Sequence, residues 1–300
     1  MIAVRVCRLF IQMPNVSVII PTFNRAHLIK ESVSSVLAQT FKPKEVIVVD
    51  DGSSDKTWDV LKNLGFSLSE SQKKSLRYIY KENGGVSSAR NVGIELSSSE
   101  YVALLDSDDE WKPTKLETQL LSLKKESFSC RVSHTNEIWI RNGIRVNQHR
   151  KHGKNGGDLF EKCLKMCCIS PSSALIHRSV FNDLGSFDES LKACEDYDFW
   201  LRYCAFEQTH FVNEQLTIKN GGHSDQLSRM YWGMDRFRIY SLEKLLKNKN
   251  LSRSKYELAL TEIILKLKIL MNGSMKRSKK DFTDELSKKI IHFESLLGNE

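Results

Sequence analysis

Four apolar runs, each ending in a polar or acidic cluster, constrain this chain more than any other feature. "VSVIIP" runs into "TFNR", "EVIVV" into "DDGSSD", "LRYIY" into "KENGG", and "YVALL" into "DSDD". Short apolar runs bounded by turn formers read as strands buried on both faces. Between them lie segments of helical period. Arg25 to Gln39 places Leu28, Ile29, Val33, Val36 and Leu37 on one face, and "TWDVLKNL" and "VSSARNVGIEL" also read as helices. Strand, helix, strand, helix with buried-type strands indicates a parallel α/β sheet. Ligands of such sheets bind outside the carboxyl ends of the strands, and all four polar clusters fall there.

The pattern then changes. Pro113 to Lys125 reads as a helix, and "CRVSHTNEIWI" before the Asn142–Gly143 turn reads as a hairpin. "HRKHGKNGG" is basic and glycine-rich and is expected as a mobile loop. "SPSSALIHRSVF" and "THFVNEQLTIK" read as strands, "EDYDFWLRYCAF" as a helix beginning with acids, and the chain from about Gln226 as helices. "SLSESQKKS" is expected as a loop.

Three hundred residues allow one large domain or two modest ones. Apolar content of 40% and charged content of 27% suit a soluble globular chain. The opening "MIAVRVCRLFIQM" is shorter than the about 20 apolar residues a bilayer span needs. It also lacks a small-residue cleavage site, so it is expected as a simple extension. Seven scattered cysteines without a CxxC pair or zinc spacing read as free thiols of a reducing compartment. The net charge of +8 suggests an anionic partner: a nucleotide, a nucleic acid or an acidic membrane surface. From Tyr231 to Glu300 fifteen Lys and Arg stand against nine Asp and Glu, and "ELALTEIILKLKILM" is amphipathic. Such helices either cap the sheet domain or lie on anionic lipid.

The acid clusters carry the chemistry. Asp106 and Asp108 stand two apart after a buried strand, so in extended or turning backbone they point the same way. Two carboxylates so placed make a hard-oxygen site for Mg²⁺ or Mn²⁺; the bland alternative is a solvated acidic turn. Asp50 or Asp51 could accept hydrogen bonds from a base or a ribose, while Ser53, Ser54 or Asp55 caps the next helix. "PTFNR" could equally cap a helix through Asn24. Arg90 could face the acids or a phosphate, or be a surface arginine. Glu195, Asp196 and Asp198 share one first helical turn, which the helix dipole alone would explain, but Phe199 and Trp200 put an apolar wall beside them. "GGH" adds a flexible backbone and the imidazole of His223.

Together, "VSVIIPTFNR", "VIVVDDGSSD", "ENGGVSSARNVGI", "YVALLDSDDEW", "SSALIHRSVFNDLGSFDESL" and "EDYDFWLR" resemble, in order and spacing, the family 2 glycosyltransferases. The resemblance covers about Asn15 to Gly222. It implies a GT-A fold, a Rossmann-like, mostly parallel sheet flanked by helices, here with a C-terminal helical extension. The implied division is an extension at 1–14, a glycosyltransferase domain at 15–225 with a nucleotide-sugar half to about 112 and an acceptor half after it, and a helical region at 226–300. It implies inverting transfer from a nucleotide-diphosphate sugar, UDP-linked, to a saccharide or lipid-linked saccharide in cell-surface polysaccharide or glycoconjugate synthesis. A divalent cation, Mn²⁺ or Mg²⁺, would assist. By the same resemblance Pro21, Thr22, Asn24, Asp50, Asp51, Arg90, Asn91 and Asp106 would bind the nucleotide sugar. Asp108, Asp106 and His223 would hold the metal, and Asp196 would be the general base. The expected location is cytoplasmic, with peripheral contact at the inner face of the membrane.

Competing classes fit less well. A dehydrogenase would need GxGxxG, and a nucleotidyltransferase a glycine-rich loop, where "PTFNR" stands. No nucleic-acid motif is present. The alternative is a nucleotide-sugar-binding protein without transferase activity, which would have lost an acid at Asp108 or Asp196; both are present.

Overall fold

A computed structural model describes residues 13–222 and 230–298. One sheet of nine strands organises them. Its first part is parallel: β1 (Val16–Thr22) pairs with β2 (Glu45–Asp50) and β4 (Tyr101–Leu104), and β2 pairs with β3 (Leu76–Tyr80). The second part is mixed. β8 (Ala174–His177) runs antiparallel to both β4 and β6 (Val132–Arg141), and β9 (His210–Gly221) runs parallel to β6. The short β5 (Glu110–Trp111) returns to pair with β9, so the acidic turn after β4 is stitched to the far side of the sheet. Asn142 and Gly143 both have positive φ in the tight turn joining β6 to β7 (Ile144–Val146), as a hairpin of this sequence requires.

Alternation within the strands splits the core. Val16, Val18 and Ile20 of β1 pack on one face with α1 (Ile29–Leu37) and α5 (Lys115–Lys125). Ile19, Ile47 and Val49 face the other way. There α4 (Val86–Leu96) crosses so close that a Cβ on Gly93 would collide with Ile19, a contact only glycine permits. α2 (Thr57–Ser67), α6 (Phe160–Lys165), α7 (Ser179–Leu184) and α8 (Glu195–Cys204) complete the layers. Then come α9 (Asp235–Leu246), α10 (Arg253–Met275) and α11 (Lys280–Gly298). Their Leu242, Ile263, Leu267 and Leu286 join the core that holds Phe199 and Trp200. No helix among the described residues is long and apolar enough to cross a membrane.

Two expectations need correction. "SLSESQKKS" is not all loop: α3 (Glu70–Ser75) begins there. Ser69 Oγ accepts from the Gln72 N–H, and Gln72 Oε1 accepts from the Ser69 N–H, a capping box that supplies the helix start. The basic "HRKHGKNGG" loop is tied down. Lys154 is nearly buried, pairs with Glu137 at 3.1 Å and donates to the Cys168 carbonyl at 3.1 Å, so one lysine anchors the segment. The six cysteines among the described residues are free thiols.

Burial, with Lys154 adding to it, pushes the His134 imidazole of β6 down to about 3. Below its ordinary value of 6.5 the unfolded chain takes up a proton that the fold refuses. Stability should therefore fall as pH drops from 6.5 toward 3, with a slope of at most about 1.4 kcal/mol per pH unit from this group. Urea unfolding at stepped pH checks it, since His134→Leu should flatten that slope. An unchanged slope would place the acid sensitivity in other groups.

Candidate active site

The carboxyl ends of β1, β2, β3 and β4 lie side by side, as the register of the parallel strands requires. Their four polar clusters therefore form one rim.

The two adjacent aspartates after β2 divide their work. Asp51 is buried and fully engaged. Its carboxylate accepts from Lys81 Nζ at 2.7 Å and from the backbone N–H of Gly84 at 2.9 Å and Gly85 at 2.7 Å. It thus fixes the glycine turn that opens α4, where Gly85 has φ 92°. Asp50 instead floors a cavity of about 320 Å³ lined by Ser53, Asp55, Trp58, Tyr78 and Tyr80. It accepts from the Tyr78 hydroxyl at 2.6 Å and the Ser53 N–H at 2.8 Å. The Trp58 and Tyr78 rings, 4.6 Å apart, form an aromatic wall. Burial together with the Asp50 contact pushes the Tyr78 phenol up, so it stays a donor.

The loop after β1 is locked to this cavity. Asn24 has a left-handed φ of 53°, and its side-chain oxygen accepts from the N–H of Ser54 at 2.8 Å and of Asp55 at 3.3 Å. Asn24 therefore shapes the pocket by holding the β2 turn. Pro21 and Thr22 are buried at the strand mouth, and the Thr22 hydroxyl has no hydrogen-bond partner among the described residues.

Arg90, from the second turn of α4, is almost wholly buried. It donates to Asp106 Oδ1 and to Glu195 Oε1, each at 2.7 Å. One guanidinium thus ties the mouth of β4 to the first turn of α8, residues 105 apart in the case of Glu195. The surface reading of Arg90 is excluded. Asn91 does not share this rim. Its amide is spent on the backbone of Phe187 and the Glu189 carboxylate, holding the 187–189 loop.

At the β4 mouth the acids differ. Burial raises Asp106, but Arg90 and Lys219 outweigh it and hold its carboxyl below the usual range. Burial and the Asp106 charge push Asp108 up, against Lys219 and Arg25. Asp109 is buried, accepts from the Ser172 hydroxyl at 2.6 Å and the Asn220 N–H at 3.0 Å, and is pushed well up by burial, Lys219 opposing. The positive charge that four carboxylates in five positions demand is therefore supplied in part by the chain itself. Arg90 faces the acids as its sequence position allowed, whereas Lys219 on β9 was not foreseen in that role. Asp108 keeps no side-chain partner among the described residues, and Asp106 keeps one oxygen clear of Arg90. That pair of hard oxygens fits a divalent cation in chemistry, though no group of three or more ligating side chains gathers among the described residues. His223 lies outside them.

The first turn of α8 is equally selective. Glu195 is bound to Arg90. Asp198 is buried between Arg202 at 2.9 Å and Lys244 at 2.6 Å. Asp196 alone of the three is partly exposed. It accepts from the Tyr197 N–H at 2.7 Å and from the Cys167 thiol at 3.2 Å.

A mixed sheet of this order, with aspartates at its carboxyl edge and helices on both faces, defines a GT-A fold. Residues 1–349 of S. aureus TarS, solved in complex with UDP-GlcNAc, superpose with a TM-score of 0.73 at 21% identity, over 93% of this chain and 81% of that one. The mannosyltransferase PcManGT of Pyrobaculum calidifontis, in complex with GDP-Man and Mn²⁺, gives 0.60 at 17% identity over 96% and 88%. Residues 17–185 match the profile of Glycosyl transferase family 2, and the chain belongs to that family. WfgD of Escherichia coli, a UDP-Glc:alpha-D-GlcNAc-diphosphoundecaprenol beta-1,3-glucosyltransferase, is 37% identical over 186 residues, 62% of this chain and 68% of that protein. An uncharacterized glycosyltransferase of Rickettsia typhi is 35% identical over 217 residues, 71% of this chain, and the match spans 65% of its length. In the Rickettsia felis relative the match spans 35%.

Proposed function

We propose that this chain transfers a sugar from a nucleotide-diphosphate donor, UDP-linked, to an acceptor hydroxyl on a saccharide or lipid-linked saccharide, with metal assistance and inversion. One observation carries the reading: Arg90 joins the Asp106 mouth to the α8 turn, and Asp196 is the carboxylate of that turn without an ion pair among the described residues. The cavity of Asp50, Trp58 and Tyr78 suits a planar base, with hydrogen bonds to Asp50 and stacking on the rings. The unpartnered Thr22 hydroxyl would lie along the donor, and Asp106 would accept from its ribose. Asn24 and Asp51 serve the donor indirectly by holding the loops that form its pocket.

Asp108 and the second oxygen of Asp106 would hold a divalent cation, which when bound stabilises negative charge on the diphosphate as a Lewis acid. The acceptor oxygen attacks the anomeric carbon on the face opposite the diphosphate. As that bond forms, the carbon–oxygen bond to phosphate breaks and its electron pair leaves with the diphosphate. The acceptor proton passes to Asp196. Lys219 adds a fixed positive charge beside the acids.

Calorimetry with a panel of nucleotide sugars tests the donor site. A UDP-sugar should bind more tightly with Mn²⁺ or Mg²⁺ than with chelator, and Asp108→Ala should erase that difference. Equal affinity with and without metal would remove Asp108 from the cation site. Metal-dependent binding without slow hydrolysis or transfer of any donor would favour a binding protein over an enzyme.

A further inference from the structure

We propose that the turn joining α10 and α11, with the exposed apolar side chains beside it, is a docking edge for the surface of an anionic lipid bilayer. The inference rests on a lipid-linked acceptor for the site above. The turn reads Met275-Lys276-Arg277-Ser278-Lys279-Lys280, and all six residues are exposed. Four cations stand in five positions, and none of them has an ion pair among the described residues. Nearby lysines of the same helical region are neutralised: Lys244 by Asp188 and Asp198, Lys266 by Glu262, Lys268 by Glu294 and Lys289 by Glu243. Lys247, Lys249 and Lys288 also lack an ion pair among the described residues, and Asp281, Asp284 and Glu285 follow the turn, but in this helical region it is here that four such cations stand within five positions.

Apolar surface lies against that charge. Trp232 is 55% exposed, Met230 60% and Met275 59%. The Trp232 ring lies 5.0 Å from Lys279 Nζ, 3.7 Å from the Arg236 guanidinium carbon and 6.0 Å from the Phe282 ring. An exposed tryptophan between cations can enter the headgroup region while the cations meet anionic lipid. Water alone solvates the four charges, and an anionic leaflet adds the attraction that polybasic segments feel near its surface.

The edge is also in the right place. The Met234 carbonyl, two residues after Trp232, lies 3.9 Å from the Cys194 sulfur, and Cys194 precedes Glu195 and Asp196 at the start of α8. Arg238 of α9 stacks over Tyr197 of the same turn. Docking through Trp232 and the basic turn would therefore bring the turn that holds Asp196 toward the membrane, where the sugar of a lipid-linked acceptor projects from the headgroups.

Flotation of the full chain with vesicles tests this. Equal parts of phosphatidylcholine and phosphatidylglycerol should carry it, and phosphatidylcholine alone should not. Raised salt should release it, because screening shortens the reach of exposed charges. Reversing Lys276, Arg277, Lys279 and Lys280 to Glu should lower recovery at least about tenfold, and Trp232→Ala should lower it further. Donor affinity measured on the same preparations reports folding of each variant and tests the donor site separately. Equal recovery with both vesicles, no recovery with either, or undiminished flotation of the charge-reversed chain would each overturn the docking edge without touching the donor assignment. A partner protein as the true occupant would show as the second of these outcomes.

Discussion

Asp196→Asn should lower kcat by about 10²- to 10⁴-fold, the usual worth of a general base, and leave nucleotide-sugar affinity nearly unchanged. The substitution keeps the side-chain shape and one acceptor oxygen for the Tyr197 N–H at the first turn of α8, loses the acceptor for the Cys167 thiol, and removes the proposed proton acceptor. Its neighbours cannot replace it as they stand. Glu195 is held by Arg90 at 2.7 Å, and Asp198 is enclosed by Arg202 and Lys244. Steady-state kinetics with an identified donor and acceptor, alongside donor calorimetry, make the comparison. Glu195→Gln should reduce kcat less, and chiefly through loosening of Arg90. Near-normal turnover in Asp196→Asn would move the base elsewhere.

Arg90→Met should destabilise the fold by about 3–5 kcal/mol, toward the lower figure because Asp106 is a quarter exposed. The change strips the shared cation from two carboxylates and leaves Glu195 buried and unpaired. It also removes the guanidinium that lies 5.1 Å from the Phe187 ring. Arg90→Lys should recover only part of the loss, since an ammonium lacks the planar fork that reaches two carboxylates at once. The pH dependence gives an independent sign. Burial and Asp196 push Glu195 up even in the intact protein, with Arg90 pulling against them. Without Arg90 nothing opposes the upward push on Glu195, whose folded-state affinity for a proton rises further above its unfolded value, so the variant's deficit should shrink as pH falls through the carboxylate range. Thermal unfolding at neutral and acid pH reads this, and a deficit that is small or independent of pH would show that the bridge is not what holds the two halves of the rim together.

Most of the strand and helix pattern was legible in the residues. Apolar runs of strand length, helical spacing and the Asn142–Gly143 turn depend on contacts within a few residues, and the sheet reproduces them. α3 was missed although its signal, Ser69 with Gln72 three residues on, is as local as any; the polar composition masked it. The rim of acids was legible too, because a parallel sheet sends every strand end of that kind to one edge.

What the sequence by itself determined is therefore the sheet, its edge and the kinds of group that gather there. Which of two adjacent acids does what was decided only by the tertiary structure. Asp50 reaches the cavity while Asp51 holds the glycine turn; Asp196 is left partly exposed while Glu195 and Asp198 are paired; Asn91 serves a loop, and Arg90 and Lys219 answer the charge at the β4 mouth. The reason is physical. Secondary structure follows from hydrogen bonds and periods spanning a few residues, whereas the partner of a charged side chain is whatever the folded sheet brings within about 3 Å. For Arg90 that partner lies 105 residues away.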